Sequence, residues 1–430
     1  MKNFLNNTVK YFYKLESKIA FYPTILSLTG TIFAFLMIYF ESLGVSDYLI
    51  KKAPSLVVND TETARSLLTT FVAGLISIMV FSFSMVMILL SQASSNFSPR
   101  VLPGLISNRR HQVILGVYNS SLLYCIFTLV SIEPNGNKYQ LPGFSVLLAI
   151  FFMTLCLAAF IYFIHSISQE IQINNIMSHI ASVARKRLKV LIDKQIEKSD
   201  EFPSTNDWTT LNSKKSGYVQ DISLSALASL AQKKEIQLEV IPVKGTYVFE
   251  NKPLIKLSKA IDDEAIEKVL SSFHYSKSEL IEDNYLLAFK QLTEIAIKSM
   301  SPGINDPGTA INAIDYLTDL FLLRLQKKDK SEYRDDQDHL VIIINTVSFK
   351  QLLFNVMSAL RTYCKHDVII VQKLMFMLLS LLNNQKNACE HYVDAIKQEI
   401  ENLYEDAKNS LKNSSDLNLL KTTYNNTIKD

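Results

Sequence analysis

The chain has 430 residues, enough for two or three domains, of which 48% are hydrophobic and only 20% charged. A net charge of +3 is too small to argue for a nucleic-acid partner, and positive mean hydropathy points to a membrane. Four cysteines (Cys125, Cys156, Cys364, Cys389) form no CxxC pair, which argues against a disulfide framework or a zinc site.

Residues 1–18, MKNFLNNTVKYFYKLESK, set Phe4, Leu5, Phe12 and Leu15 among lysines and predict an amphipathic interfacial segment. No small-residue cleavage site precedes Glu41, so a cleaved signal peptide is not expected. Uncharged runs then extend from Ile19 to Phe40, Ser66 to Pro99, His111 to Ile132 and Tyr139 to Gln169. Each holds at least the ~20 residues that cross a bilayer. They predict a four-helix transmembrane domain over 19–169, with spans about 19–40, 68–92, 112–132 and 143–166. Eleven Lys and Arg flank the first side of these spans (Lys2, Lys10, Lys14, Lys18, Arg100, Arg109, Arg110, Arg185, Lys186, Arg187, Lys189). The other side has four (Lys51, Lys52, Arg65, Lys138), which places both termini in the cytoplasm.

No Asp, Glu, Lys or Arg interrupts a span, which disfavours a proton relay or charge-coupled transport. His165, at the end of span four, reads as interfacial. In span two, Thr70, Gly74, Ser77, Ser84 and Ser91 fall at helical spacing and form one drifting stripe. Such a stripe either packs helices closely or lines a water-filled path in an oligomer. Arg100, at the end of span two, either anchors it in the headgroups or faces the cytosolic mouth of such a path.

After the spans, residues 170–216 read as a helical extension and linker. Ile173, Ile176, Ile180 and Val183 follow the 3-4 spacing of a helix-bundle or short coiled-coil seam, and polar 197–216 forms the linker. Residues 217–260 read as a small α+β module: a strand GYVQDI, a helix capped by Ser223, then IQLEVIP, TYVFE and PLIKLS. GTYVFENKPLIKL resembles the glycine-turn strands of lipoyl-like barrels but has no acceptor lysine in a hairpin, so a carrier role is not expected. Residues 261–411 read as a helical cytosolic domain with one buried strand, LVIIIN. Its helices fall near 262–273, 279–300, 307–326, 348–364, 367–385 and 388–411, and 412–430 reads as a flexible tail. The fold class is thus an α-helical membrane domain followed by a mostly helical α+β cytosolic domain.

Between the helices at 279–300 and 307–326 lies SPGINDPGT. Pro302-Gly303 stops one helix, with Gly able to take positive φ, and Asp306-Pro307 starts the next. That turn does not itself require Ser301, Asn305, Gly308 or Thr309. With Asp306, those four gather hydroxyl, amide, carboxylate and bare backbone at a helix N-terminus, a setting for a phosphate-bearing ligand or a hard cation. They are the candidate ligand-binding residues; plain turn chemistry is the alternative.

SFSMVMILLSQASSNFSPRVL, LGVYNSSLLY, GYVQDI and above all QLTEIAIKSMSPGINDPGTAINAIDYL resemble the domain-of-unknown-function family 2254, a group of predicted bacterial inner-membrane proteins. The resemblance covers about residues 15–410 in order. It implies four spans followed by a cytosolic domain in the inner membrane, and brings no activity. The arginine-threonine pair that usually precedes the helix at 279 is absent from FHYSKSELIEDNYLLAF.

Function is expected from one of two classes. The first is an oligomeric channel or transport-like protein with a cytosolic ligand-sensing domain; the second is a membrane-anchored sensor or scaffold. An enzyme is disfavoured: no phosphate loop, HExxH or GxSxG appears, and no catalytic or metal-binding residue is assigned. The expected partners are the lipid bilayer, further copies of this chain, and a small ion or phosphate-bearing ligand. No cofactor is specified by the residues.

Overall fold

The computed structural model describes residues 20–52, 57–58, 60–96, 109–132, 142–170, 172–193, 195, 202–276, 284–334, 337, 339–389 and 391–429. Arg100 and the 1–18 segment lie outside the described residues. The chain divides into two compact units, 1–172 and 173–430.

The first unit holds α1 (Phe21–Ser42), the short α2 (Val45–Lys52), α3 (Thr61–Asn96), α4 (Arg109–Val130) and α5 (Gly143–Glu170). Four of these, α1, α3, α4 and α5, are long and apolar enough to cross a membrane. At 36 residues α3 is about 54 Å long, well beyond the ~30 Å hydrocarbon layer, so its ends project as ordinary helix. Its inward face is Ala64, Leu68, Leu75, Ser82 and Leu89, all buried.

The closest approach in this unit is between α1 and α4. A Cβ added to Gly30 would stand 2.7 Å from the Ser120 carbonyl oxygen and 2.8 Å from its Cα. One added to Gly116 would stand 3.2 Å from the Pro23 Cα. Gly30 on α1 faces Ser120 on α4, and Gly116 on α4 faces Pro23 and Leu26 on α1, so a glycine on each helix lets the backbones approach closely. Polar ties close the ends. Glu41, ending α1, accepts from the Ser145 amide at 2.8 Å and so caps α5, while Arg65 donates to the Ile132 carbonyl at 3.2 Å.

The second unit opens on α6 (Ile173–Asp193). The helix expected to run unbroken from span four is interrupted: Gln172 is non-helical. Of the two seams expected here, the structure shows the helix-bundle one. Ile176, Ile180, Ala184 and Leu188 are buried, and α6 packs them within the same unit against α9 (Tyr285–Ser299) and α10 (Pro307–Leu325). The remaining helices are α7 (Leu224–Lys234), α8 (Asp263–Ser271), α11 (Phe349–Cys364), α12 (Val368–Asn383), α13 (Val393–Ser410) and α14 (Ser414–Lys429).

Among the described residues, eight strands form two sheets. One is ordered β1-β5-β3-β8-β7, from Thr209–Asn212, Pro253–Leu257, Leu238–Val240, Leu340–Asn345 and Lys330–Arg334. The other is β4-β2-β6, from Tyr247–Val248, Gly217–Ile222 and Phe273–Ser276. The expected boundary at 260 cuts the first sheet, because β3 pairs in parallel with β8, Leu238 opposite Ile342. The expected linker 197–216 contains β1, and the helices expected near 262–273 and 279–300 leave room for β6 between them.

The expected flexible tail is also corrected: residues 414–429 are helix α14, which packs on α12 and α13. Leu417, Leu420 and Tyr424 turn inward at helical spacing; Leu420 is buried, and Tyr424 stacks on Tyr404 at 4.0 Å. Asn and Thr between these residues hide the stripe when the segment is read by composition.

Candidate functional site

The SPGINDPGT segment forms the turn between α9 and α10, and its polar groups satisfy one another. The Asp306 carboxylate accepts from the Thr309 amide at 3.1 Å and the Thr309 hydroxyl at 2.6 Å. The Ser301 hydroxyl donates to the Lys298 carbonyl at 2.6 Å, and the Asp306 amide to the Ser299 carbonyl at 2.7 Å. The left-handed residue is Asn305, at φ 49°, and not Gly303; Asn tolerates this region. Gly308 is exposed, and Thr309 is buried against the helix start. The five residues are neighbours in one turn, in which Asp306 and Thr309 form the helix cap.

In span two the structure places Thr70, Ser77, Ser84 and Ser91 on the exposed outer face of α3, with Gly74 half-buried near Met153. Thr70, Ser77 and Ser84 each donate back to the carbonyl four residues earlier, at 2.8, 2.9 and 2.9 Å. These hydroxyls thus sit in an apolar surface with their donors engaged. Ile76, Val80, Phe81 and Met87 are exposed on the same helix.

A different region of the second unit has the features of a binding site. A cleft of about 520 Å³ is lined by α6, the start of α7, the start of α9, the α10–β7 turn, β7 and the end of β8. Six cationic residues line it (Arg187, Lys244, Lys327, Lys328, Lys330 and Arg334) along with two carboxylates, Asp221 and Glu332. Lys327 is only 2% exposed, and its ammonium donates to the Lys328 carbonyl at 2.7 Å. Lys244 pairs with Asp221 at 2.9 Å. Burial opposes ionisation of Asp221, but this hydrogen bond and charge outweigh it and hold the carboxyl below the usual range.

The basic loop is fixed from beneath by Arg324, which is fully buried. Its guanidinium donates to the Lys327 carbonyl at 2.6 Å, the Val347 carbonyl at 2.9 Å and the Asp329 carboxylate at 2.5 Å. Asp329 also accepts from the Phe349 amide at 2.8 Å, which joins the loop to α11. Gln195, after α6, closes the other side: it donates to the Gln326 carbonyl at 2.9 Å and accepts from the Lys328 amide.

At the start of α9, Asn284 caps the Leu286 amide at 3.1 Å and Tyr285 reaches the cleft, 6% exposed. The Tyr285 hydroxyl is buried beside the Arg324 guanidinium without a hydrogen bond of ordinary geometry. Burial pushes its phenol above the usual range, so it remains a neutral donor. The arrangement can bind and neutralise a multiply charged anion; among the described residues no group of three or more His, Cys, Asp or Glu is placed to hold a metal.

Composition and spacing did not reveal this cleft, because its residues come from six stretches between 187 and 346. The available signal was the run KKDKSEYR at 327–334, which reads as a charged loop. Arg187 was counted only as a flank of the last span.

Similarity to other proteins is consistent with the membrane reading. The chain is 24% identical over 337 residues to uncharacterized protein Mb1321c of Mycobacterium bovis and, equally, to uncharacterized protein Rv1290c of Mycobacterium tuberculosis. Each match covers 75% of this chain and 64% of the relative, so the chain spans just under two thirds of the length of these curated relatives. No solved structure matches. The model of the predicted membrane protein family DUF2254 matches residues 16–380, and the chain belongs to that family.

Proposed function

We propose that this chain is a multi-pass protein of the bacterial inner membrane with its N-terminus and second unit in the cytoplasm. On this reading the second unit senses a multiply charged anion, bound in the basic cleft. The observation that carries it is the convergence of six cations, one of them the buried Lys327, on a single cleft. The lining residues carry six cations against two carboxylates, an excess of positive charge that suits a ligand bringing negative charge. α6 contributes Arg187, Val190 and Leu191 to the cleft and follows the last span in sequence. Ligand contacts there would bias the first helix after the membrane segment.

The test is thermal unfolding of the full chain in detergent with pyrophosphate added. At about a hundred times the dissociation constant, a ligand of the folded state adds about 2.7 kcal/mol. The melting temperature is expected to rise, and to stop rising in Arg187→Glu/Lys330→Glu. No rise in the parent would remove the reading.

A second reading, an oligomeric channel or transport protein regulated by the same unit, draws support from one observation. The Thr70, Ser77, Ser84 and Ser91 stripe lies on the outer face of α3, open to a second copy or to a conduction path, and not inside the unit. Arg100 would then stand at the cytosolic mouth. Ion flux in liposomes lost in Ser84→Leu, with folding intact, would support it; parental flux of zero across several ions would leave the sensor alone.

A further inference from the structure

The cleft is too large and too apolar for an inorganic anion. A water takes about 30 Å³ of liquid, so about 520 Å³ has room for roughly seventeen. A five-atom phosphate would leave most of that space wet. Drug-sized ligands occupy sites of roughly 300–1,000 Å³, and the cleft falls inside this range. Its cations are more than one phosphate group needs. The remaining lining has a distinct character: Val190 and Leu191 from α6, Ile222, Leu224, Val243 and Ile344 form an apolar wall. Asn284, Asn345, Thr346 and Ser331 supply neutral donors and acceptors between the two regions.

Resting on the anion-sensing reading above, we infer that the ligand is a nucleoside di- or triphosphate. Its phosphates engage the Lys327–Lys330 loop, Arg334 and Arg187, and its base lies on the apolar wall. A planar base adds apolar contact to the charge-assisted bonds of the phosphates, so both halves contribute to affinity.

The experiment is isothermal titration of the full chain in detergent with ADP, GDP, pyrophosphate and adenosine. The expected result is that at least one nucleoside diphosphate binds tenfold or more tighter than both pyrophosphate and adenosine. Leu191→Gln, on the half-buried apolar wall, should weaken that nucleotide while leaving pyrophosphate unchanged; Lys330→Gln should weaken both. Pyrophosphate binding as tightly as ADP and GDP would overturn the nucleotide while keeping the anion cleft. The same holds if phosphatidylglycerol nanodiscs, and not nucleotides, show the Lys330-dependent affinity, since the shared phosphate would then come from lipid. Absence of binding by all probes would overturn both readings.

Discussion

The fully buried Arg324 and the half-buried Asp329 form an ion pair that holds the basic loop in place from below. The guanidinium also binds the Lys327 and Val347 carbonyls, and Asp329 also binds the Phe349 amide. Arg324→Met would leave a carboxylate and two carbonyls without their donor, at a cost of about 3–5 kcal/mol. A single ammonium cannot reproduce the guanidinium fork, so Arg324→Lys should restore little of this. Chemical denaturation of the three proteins checks the order, and near-parental stability in Arg324→Met would contradict it.

Gly30 sets the distance between α1 and α4. A methyl group there meets Ser120 backbone atoms under 3 Å away, which cannot yield as a side-chain end can. Gly30→Ala should therefore destabilise the first unit by about 1–3 kcal/mol, the usual cost of overpacking. Gly74→Ala is the control: its Cβ meets only the Met153 Cε at 3.4 Å, an ordinary contact. Thermal unfolding in detergent should separate the two, and equal melting temperatures would refute the close approach.

Asp306 is engaged by Thr309, which makes it a helix cap. Asp306→Ala should cost about 1 kcal/mol through loss of that cap, and Asp306→Asn less. Neither should change pyrophosphate affinity. If Asp306→Ala abolishes binding with folding intact, the ligand belongs at the turn and not in the cleft.

Glu399 gives the second unit a pH dependence. Burial raises its carboxyl above the ordinary 4.5, while Arg361, 3.4 Å away, opposes the rise. Because the folded state holds this proton more tightly than the unfolded chain, Glu399's contribution falls as pH rises from 4.5 through the raised value. Glu399→Gln should flatten that decline. Melting temperatures measured from acid to neutral pH test it, and an unchanged slope in the variant would assign the decline elsewhere.

The parts of the fold legible in sequence are those with a local cause. Four uncharged runs specify α1, α3, α4 and α5, and Asp306-Pro307 specifies the start of α10. β7 was hidden because an edge strand carries charges: in KSEYR only Tyr333 is apolar, and such a pattern also suits a loop. The α3 stripe was legible as a stripe but not as a face, since spacing gives periodicity without saying what lies opposite. The small residues that bring helices together, Gly30 and Gly116, are single glycines in apolar runs and have no such pattern of their own. The cleft was hidden for a topological reason: only the placement of β7 beside β8 brings 327–334 near 344–346, and only tertiary packing adds α6 and the start of α9.

The central claim is the location of the ligand. Hydrogen exchange of the full chain in detergent, with and without saturating ADP, tests it most directly. Protection is expected in 284–287 and 326–334, with the α9–α10 turn at 301–309 unchanged. Protection confined to 301–309, or no protection in 326–334 at a concentration where binding is measured, would contradict the account.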